Sequence, residues 1–201
     1  MDRYDTLMFT PAVRALQRAD GSEETYARSY STRTRPLGED ERAFIESRSS
    51  FYMASVSETG WPYIQHRGGP AGFLKMLGED QIGFADYRGN RQHISEGNLA
   101  GDPRVSLFLM DYPAKARLKM QGEAAMQAAE DAPELVERLS VVGQGRVQRV
   151  VTITIKAFDW NCPQFIAPRF TEEDIAAMLG PKLQEQEARI AELEAELAAL
   201  K

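Results

Sequence analysis

Cysteine is almost absent from this chain of 201 residues. Cys162 stands alone, so no disulfide can close within the chain and a cysteine-rich metal site is excluded. Histidine is nearly as scarce, with only His66 and His93, and no clustered Cys/His spacing points to structural zinc. No stretch approaches the roughly 18 consecutive apolar residues of a membrane span. Met1-Asp2-Arg3-Tyr4-Asp5 lacks the basic segment and apolar run of a signal peptide. These two absences make the cytoplasm the expected compartment. Positive charge is also in deficit: the formal net charge is −6, and from Glu172 onward eight acidic residues stand against three basic ones. The rest is close to neutral, so neither part carries the basic excess that non-specific nucleic-acid binding requires. The familiar phosphate and nucleophile motifs are missing too. There is no Walker pattern, no Gly-x-Gly-x-x-Gly after a strand and no Gly-x-Ser-x-Gly elbow.

What is present is a succession of short apolar runs. Hydrophobic and charged fractions of 43% and 27% are those of a globular protein with one buried core. Residues 1–37 read as a polar arm with one helix, Thr10 capping and Pro11 in the first turn, ended by Gly21. This arm is expected to lie across the domain or a partner subunit. A helix over 38–47 leads into a strand at 51–56, a turn at Glu58-Thr59-Gly60 and a strand opening at Pro62. Further strands are expected at 73–77, 81–85, 104–110, 117–126 and 149–158. Helical turns follow Arg91, with Ser95 or Asn98 as caps, and a helix covers 131–140. Six or seven short strands with few helices between them predict a mostly β, α+β domain: an antiparallel barrel over residues 38–170.

Residues 171–201 differ in character. After a capping pattern at Thr171, Leu179, Leu183, Gln186, Ile190, Leu193, Leu197 and Leu200 alternate in steps of four and three. That is a heptad seam with one polar position. It fits either a coiled coil between subunits or an amphipathic helix packed on its own domain.

Several constellations could carry chemistry. His66-Arg67-Gly68-Gly69 ends a strand with two glycines that would let backbone N–H groups approach a ligand, although a plain turn has the same composition. Asp86-Tyr87-Arg88-Gly89-Asn90-Arg91 places two arginines and an amide around a glycine directly after an apolar strand. Arginine suits bidentate phosphate binding, and the turn containing Ser95 could add helix N-terminal donors; the competing reading is a solvated loop. Arg117 and Lys119 share one face of a strand and either meet water or share an anion. Asp159-Trp160-Asn161-Cys162-Pro163-Gln164 follows the most β-rich strand, and Trp160 is either a core ring or a ligand wall. A catalytic role for Cys162 lacks a paired base.

Together these pieces resemble the FMN-binding split-barrel proteins related to pyridoxamine 5′-phosphate oxidase. The resemblance rests on Phe73-Leu74-Lys75, Gly83 to Arg91, Pro103-Arg104-Val105, Arg117 to Gly122, and Trp160 with Arg169 beyond it. The runs Tyr87 to Gln92 and Asp159 to Gln164 are similar to a branch described only as flavin-nucleotide-binding proteins. The resemblance implies an antiparallel split barrel and FMN in a groove between the subunits of a homodimer. It implies that Arg91 holds the phosphate beside Asn90, that Lys75 touches the flavin, and that Ala85 and Asp86 pass it by their backbone. Arg67 and Gln92 join the set from the same two motifs. Arg117 stands where the oxidases carry glutamine, and Trp160 and Arg169 would close the groove from the partner chain. The oxidases follow the phosphate arginine with lysine where Gln92 stands. Their Tyr/Arg/Ser set for the substrate's phosphate has no match in 130–145. The expectation is therefore an FMN-dependent oxidoreductase acting on another small molecule. The alternatives are a flavin-binding or sensor module without turnover, or an interaction protein assembled through its C-terminal helix.

Overall fold

The computed structural model describes residues 1–30, 36–160 and 163–199. Asn161, Cys162 and the seam residue Leu200 lie outside the described residues. The chain forms two compact units, one of Met1–Asp111 with Ala116–Pro163, the other of Tyr112–Lys115 with the chain from Gln164 onward.

The first unit is built on seven strands: β1 (Ser50–Val56), β2 (Pro62–Gly68), β3 (Lys75–Met76), β4 (Gln81–Tyr87), β5 (Arg104–Asp111), β6 (Ala116–Ala128) and β7 (Val147–Trp160). They pair antiparallel in the order β2-β1-β5-β6-β7-β4-β3. Alternation of side chains sends Phe51 and Met53, Leu107 and Leu109, Leu118 and Met120, and Ile153 and Ile155 into one core. Two contacts show that the sheet curls around this core. Phe51 on β1 meets Phe84 on β4 edge-on at 5.5 Å, although β5, β6 and β7 lie between those strands in the sheet. Arg67 on the edge strand β2 reaches Asp86 on β4 at 3.0 Å. A flat sheet would hold these pairs far apart, so the architecture is an α+β split barrel, as expected. A register shift between Gln121 and Gly122 helps the long β6–β7 ribbon to bend.

Helices α4 (Glu39–Glu46), α5 (Ile94–Gly101) and α6 (Pro133–Leu139) join the strands. Strand β3 is shorter than the expected 73–77. Pro70 and Gly72, the latter at φ +85°, turn the chain so that Phe73 and Leu74 plug the core from a loop, with Phe73 stacked 5.9 Å from Phe51. Gly69 serves this plug, because a Cβ there would come within 2.7 Å of Phe73. The caps expected at Ser95 or Asn98 are also corrected: His93 precedes the first turn of α5. Both polar side chains are buried instead, with Ser95 donating to Gln65 Oε1 at 2.7 Å and Asn98 to Ser55 Oγ at 2.9 Å.

The arm packs across its own barrel. It forms α1 (Tyr4–Met8), α2 (Pro11–Asp20) and α3 (Glu23–Tyr30). Thr10 caps α2, and Gly21 at φ +78° ends it, as the sequence suggests. Tyr4 and Tyr30 cover Ala157 of β7, and Asp2 N–H donates to Lys156 O at 2.7 Å. Asp5 is buried between Arg3 and Arg14, and the bond from Arg3 holds its pKa below the usual carboxylate range.

In the second unit, Arg169 lies 4.8 Å over the Tyr112 ring. Thr171 and Asp174 exchange capping bonds at 2.9 and 3.1 Å, opening α7 (Glu172–Ala199). The seam residues Leu179, Leu183, Ile190, Leu193 and Leu197 are all exposed. Among the described residues no helix is long and apolar enough to cross a membrane.

Candidate functional site

The ends of β2 and β4, the loop 88–93, the first turn of α5 and the start of β7 enclose a cleft of about 260 Å³. From β2, the inward positions Tyr63, Gln65 and Arg67 line it in alternation. Arg67 is nearly buried, lies over the Phe84 ring at 5.5 Å and donates to Asp86 Oδ1 at 3.0 Å. Burial pushes its guanidinium below the ordinary arginine pKa, while the neighbouring Asp86 opposes the shift. Its Nε is buried with no hydrogen-bond partner among the described residues.

Asp86 organises the wall. Its second oxygen accepts from Arg149 Nε at 3.1 Å, and Arg149 continues to Glu96 at 3.1 Å. Glu96 in turn contacts His93. The network Arg67–Asp86–Arg149–Glu96–His93 therefore ties β2, β4, β7 and α5 together. Both carboxylates facing the cleft are engaged by cations within it. Arg91 is not: among the described residues it makes no ion pair and no side-chain hydrogen bond.

The loop backbone is unusual. Arg91 and His93 hold φ values of +60° and +56°, which cost non-glycine residues roughly 1–2 kcal/mol each and gather at ligand-binding loops. Asn90 Oδ1 accepts from Gln92 N–H at 3.2 Å and sets this turn, leaving the Asn90 amide hydrogens for a ligand. Helix α5 has no side-chain cap, so its first-turn N–H groups, from residues that line the cleft, remain available to an anion.

A second cleft, also about 260 Å³, shares Arg67, Asp86, Tyr87 and Gly89 with the first. Phe73, Phe84, Ala85 and Val141 give it an apolar wall, and the Tyr87 hydroxyl accepts from Val141 N–H at 2.7 Å to hold that wall in place. The pair of clefts thus offers cationic and N–H donors in one and an apolar wall in the other. A phosphate-bearing planar cofactor fits that donor set.

The structure brings together Arg67, Ala85, Asp86, Asn90, Arg91 and Gln92. Lys75 lies on β3, where its Nζ donates to Arg138 O at 2.7 Å. Arg117 on β6 pairs with Met110 of β5 and alternates with the core residues Leu118 and Met120. It therefore occupies the sheet face opposite Arg67, which pairs with the core residue Phe51. Its Nε is likewise buried without a partner among the described residues. Trp160 donates to Glu41 Oε1 at 2.7 Å and packs edge-on against Phe44 at 4.7 Å. Arg169 belongs to the second unit. Sequence reasoning did not single out Tyr63, Glu96 or Arg149. The step-of-two spacing back from Arg67 could have found Tyr63, but Arg149 enters only because the β4–β7 register sets it opposite Asp86.

The fold is thus a split barrel with a donor-lined cleft and an apolar-walled cleft beside it. A family model described as pyridoxamine 5′-phosphate oxidase matches residues 37–155, and the chain belongs to that family. Among solved structures, HupZ of Group A Streptococcus is 14% identical, covers 67% of this chain and 100% of its own, and has a TM-score of 0.48. An FMN-binding protein from Syntrophomonas wolfei is 15% identical, with 74% and 97% covered and a TM-score of 0.45. A Clostridium acetobutylicum protein related to general stress protein 26 of B. subtilis is 13% identical, with 61% and 85% covered and a TM-score of 0.45. No curated protein matches the sequence.

Proposed function

We propose that this chain binds FMN and works as an FMN-dependent oxidoreductase on a small molecule other than pyridoxamine 5′-phosphate. The observation that carries this is the unpaired Arg91 on a strained loop, facing the same cleft as the uncapped N-terminus of α5. Arg91, the Asn90 amide and the first-turn N–H groups would hold the phosphate. The Ala85–Asp86 backbone and the Phe73–Phe84 shelf would take the ring system. Bound flavin would supply the redox chemistry, with the protein orienting it and excluding water. Arg67 and Arg149, fixed by Asp86, would keep the cleft cationic. Gln92 contributes to the loop that presents Arg91.

The remaining candidates support a homodimer. Arg117 occupies the sheet face away from Arg67, and Trp160 stands at the other end of β7 from Arg149, roughly 36 Å away along the strand. Arg117 and Trp160, so placed, would reach the flavin from a second copy, and Arg169 would join them there. The exposed seam of α7 favours an additional reading, in which this helix pairs with its counterpart as a coiled coil.

Titration of cofactor-free protein with FMN tests the cofactor, and reduction of the bound flavin by a nicotinamide donor tests turnover. Binding with reduction faster than that of free FMN supports the oxidoreductase. Binding without faster reduction by any common donor supports a carrier or sensor module, and failure to bind FMN contradicts both.

A further inference from the structure

Beyond loop 88–93 the first unit carries another cleft, of about 660 Å³. It adjoins the site above through Arg91, His93 and Arg149, which line both. Its other charged residues are Arg88, Arg146 and a single acid, Glu130. Among the described residues Arg88, Arg91 and Arg146 make no ion pair and no side-chain hydrogen bond. The charge of Arg149 is already shared between Asp86 and Glu96.

The placement is set by the sheet. Tyr87 and Val147 are the last paired residues of the β4–β7 ladder, and Arg88 and Arg146 are the next residues beyond it on the two strands. Both side chains line this cleft, and like charges gathered on one surface favour an anion between them. Other arginines of the chain meet a carboxylate, as Arg48 meets Asp111 and Arg104 meets Asp102, or backbone carbonyls, as Arg42 and Arg138 do. Among the described residues Arg88 and Arg146 do neither. The cations are arginines, whose planar donor forks match phosphate oxygens in pairs.

We propose that this cleft binds a phosphate group additional to the flavin's own, held by Arg88 and Arg146 with Arg91 shared between the two sites. The group could be the second phosphate of a flavin dinucleotide, continuous with the cofactor, or a phosphate of a separate nucleotide co-substrate. The inference rests on the flavin reading only for what fills the neighbouring cleft.

Calorimetric titration with ADP, FMN and FAD, on the full chain and on the double variant Arg88→Gln/Arg146→Gln, tests it. ADP should bind the full chain, and the double variant should weaken it by about tenfold or more, the loss expected for removing two charge-assisted contacts. FMN affinity should stay nearly unchanged. FAD binding more tightly than FMN, with the advantage lost in the double variant, identifies the attached adenylate as the source. ADP binding undiminished to FMN-saturated protein identifies a separate nucleotide. ADP that fails to bind, or binds both proteins equally, overturns the inference even if FMN binds. FMN failing while ADP binds overturns the flavin reading and leaves this one standing.

Discussion

Arg91 is the residue on which the site turns, because it faces the cleft with no carboxylate of its own among the described residues. Arg91→Ala should weaken FMN binding by about 10- to 100-fold, the range of one strong charge-assisted contact, while thermal unfolding stays close to that of the parent. Asp86 behaves in the opposite way. It holds Arg67 and Arg149 together, and Asp86→Asn should lower stability by roughly 1–3 kcal/mol, read as a fall in the denaturant midpoint. Asp5 gives the chain a pH-dependent clasp. Its folded pKa lies below the unfolded value, so its contribution is whole above about pH 4 and fades as pH falls through the depressed folded value. Hydrogen exchange of residues 4–20 should therefore accelerate in acid before that of β7 does, and Asp5→Asn should remove the pH dependence. The sequence made Arg67, Asp86, Asn90, Arg91 and Gln92 legible because they fall in two continuous motifs. Arg149 was not legible, since it joins the cleft only through strand register with a segment some sixty residues earlier.

At the level of elements, β1, β2, β4, β5 and β7 could be read from alternation and β-branched runs, and α2 from its Thr10 cap and terminal Gly21. Strand β3 could not. Phe73 and Leu74 have strand-like composition, but the turn at Pro70–Gly72 drives them into the core as a plug. Trp160 illustrates a different limit. A large ring beside amides suits a ligand wall, yet within its own chain it is held by Glu41 and Phe44 on α4, a contact between segments more than a hundred residues apart. The β6–β7 bend offers a test of the barrel itself. A Cβ on Gly122 would stand 2.8 Å from Thr154 O, so Gly122→Ala should destabilise the fold by about 1–3 kcal/mol, visible as a lowered melting temperature. On α7, Ile190 and Leu193 are exposed on the seam, and Ile190→Glu/Leu193→Glu should abolish any helix-mediated association in light scattering while FMN binding persists.

Across the whole molecule, burial and charge separate two tasks. The curled sheet closes an apolar core and leaves at one end a cleft whose cations outnumber the acids that hold them. The exposed seam of α7 has no such cleft chemistry, only apolar positions that a second copy could cover. The chain belongs to the pyridoxamine 5′-phosphate oxidase family, and the proposed cofactor is FMN. The absorption spectrum of the protein as purified, followed by mass identification of what it releases on heating, tests this account most directly. The account predicts flavin bands and the mass of FMN, or of its dinucleotide if the second phosphate site is filled by the cofactor itself. Colourless protein that releases no flavin and takes none up would contradict it.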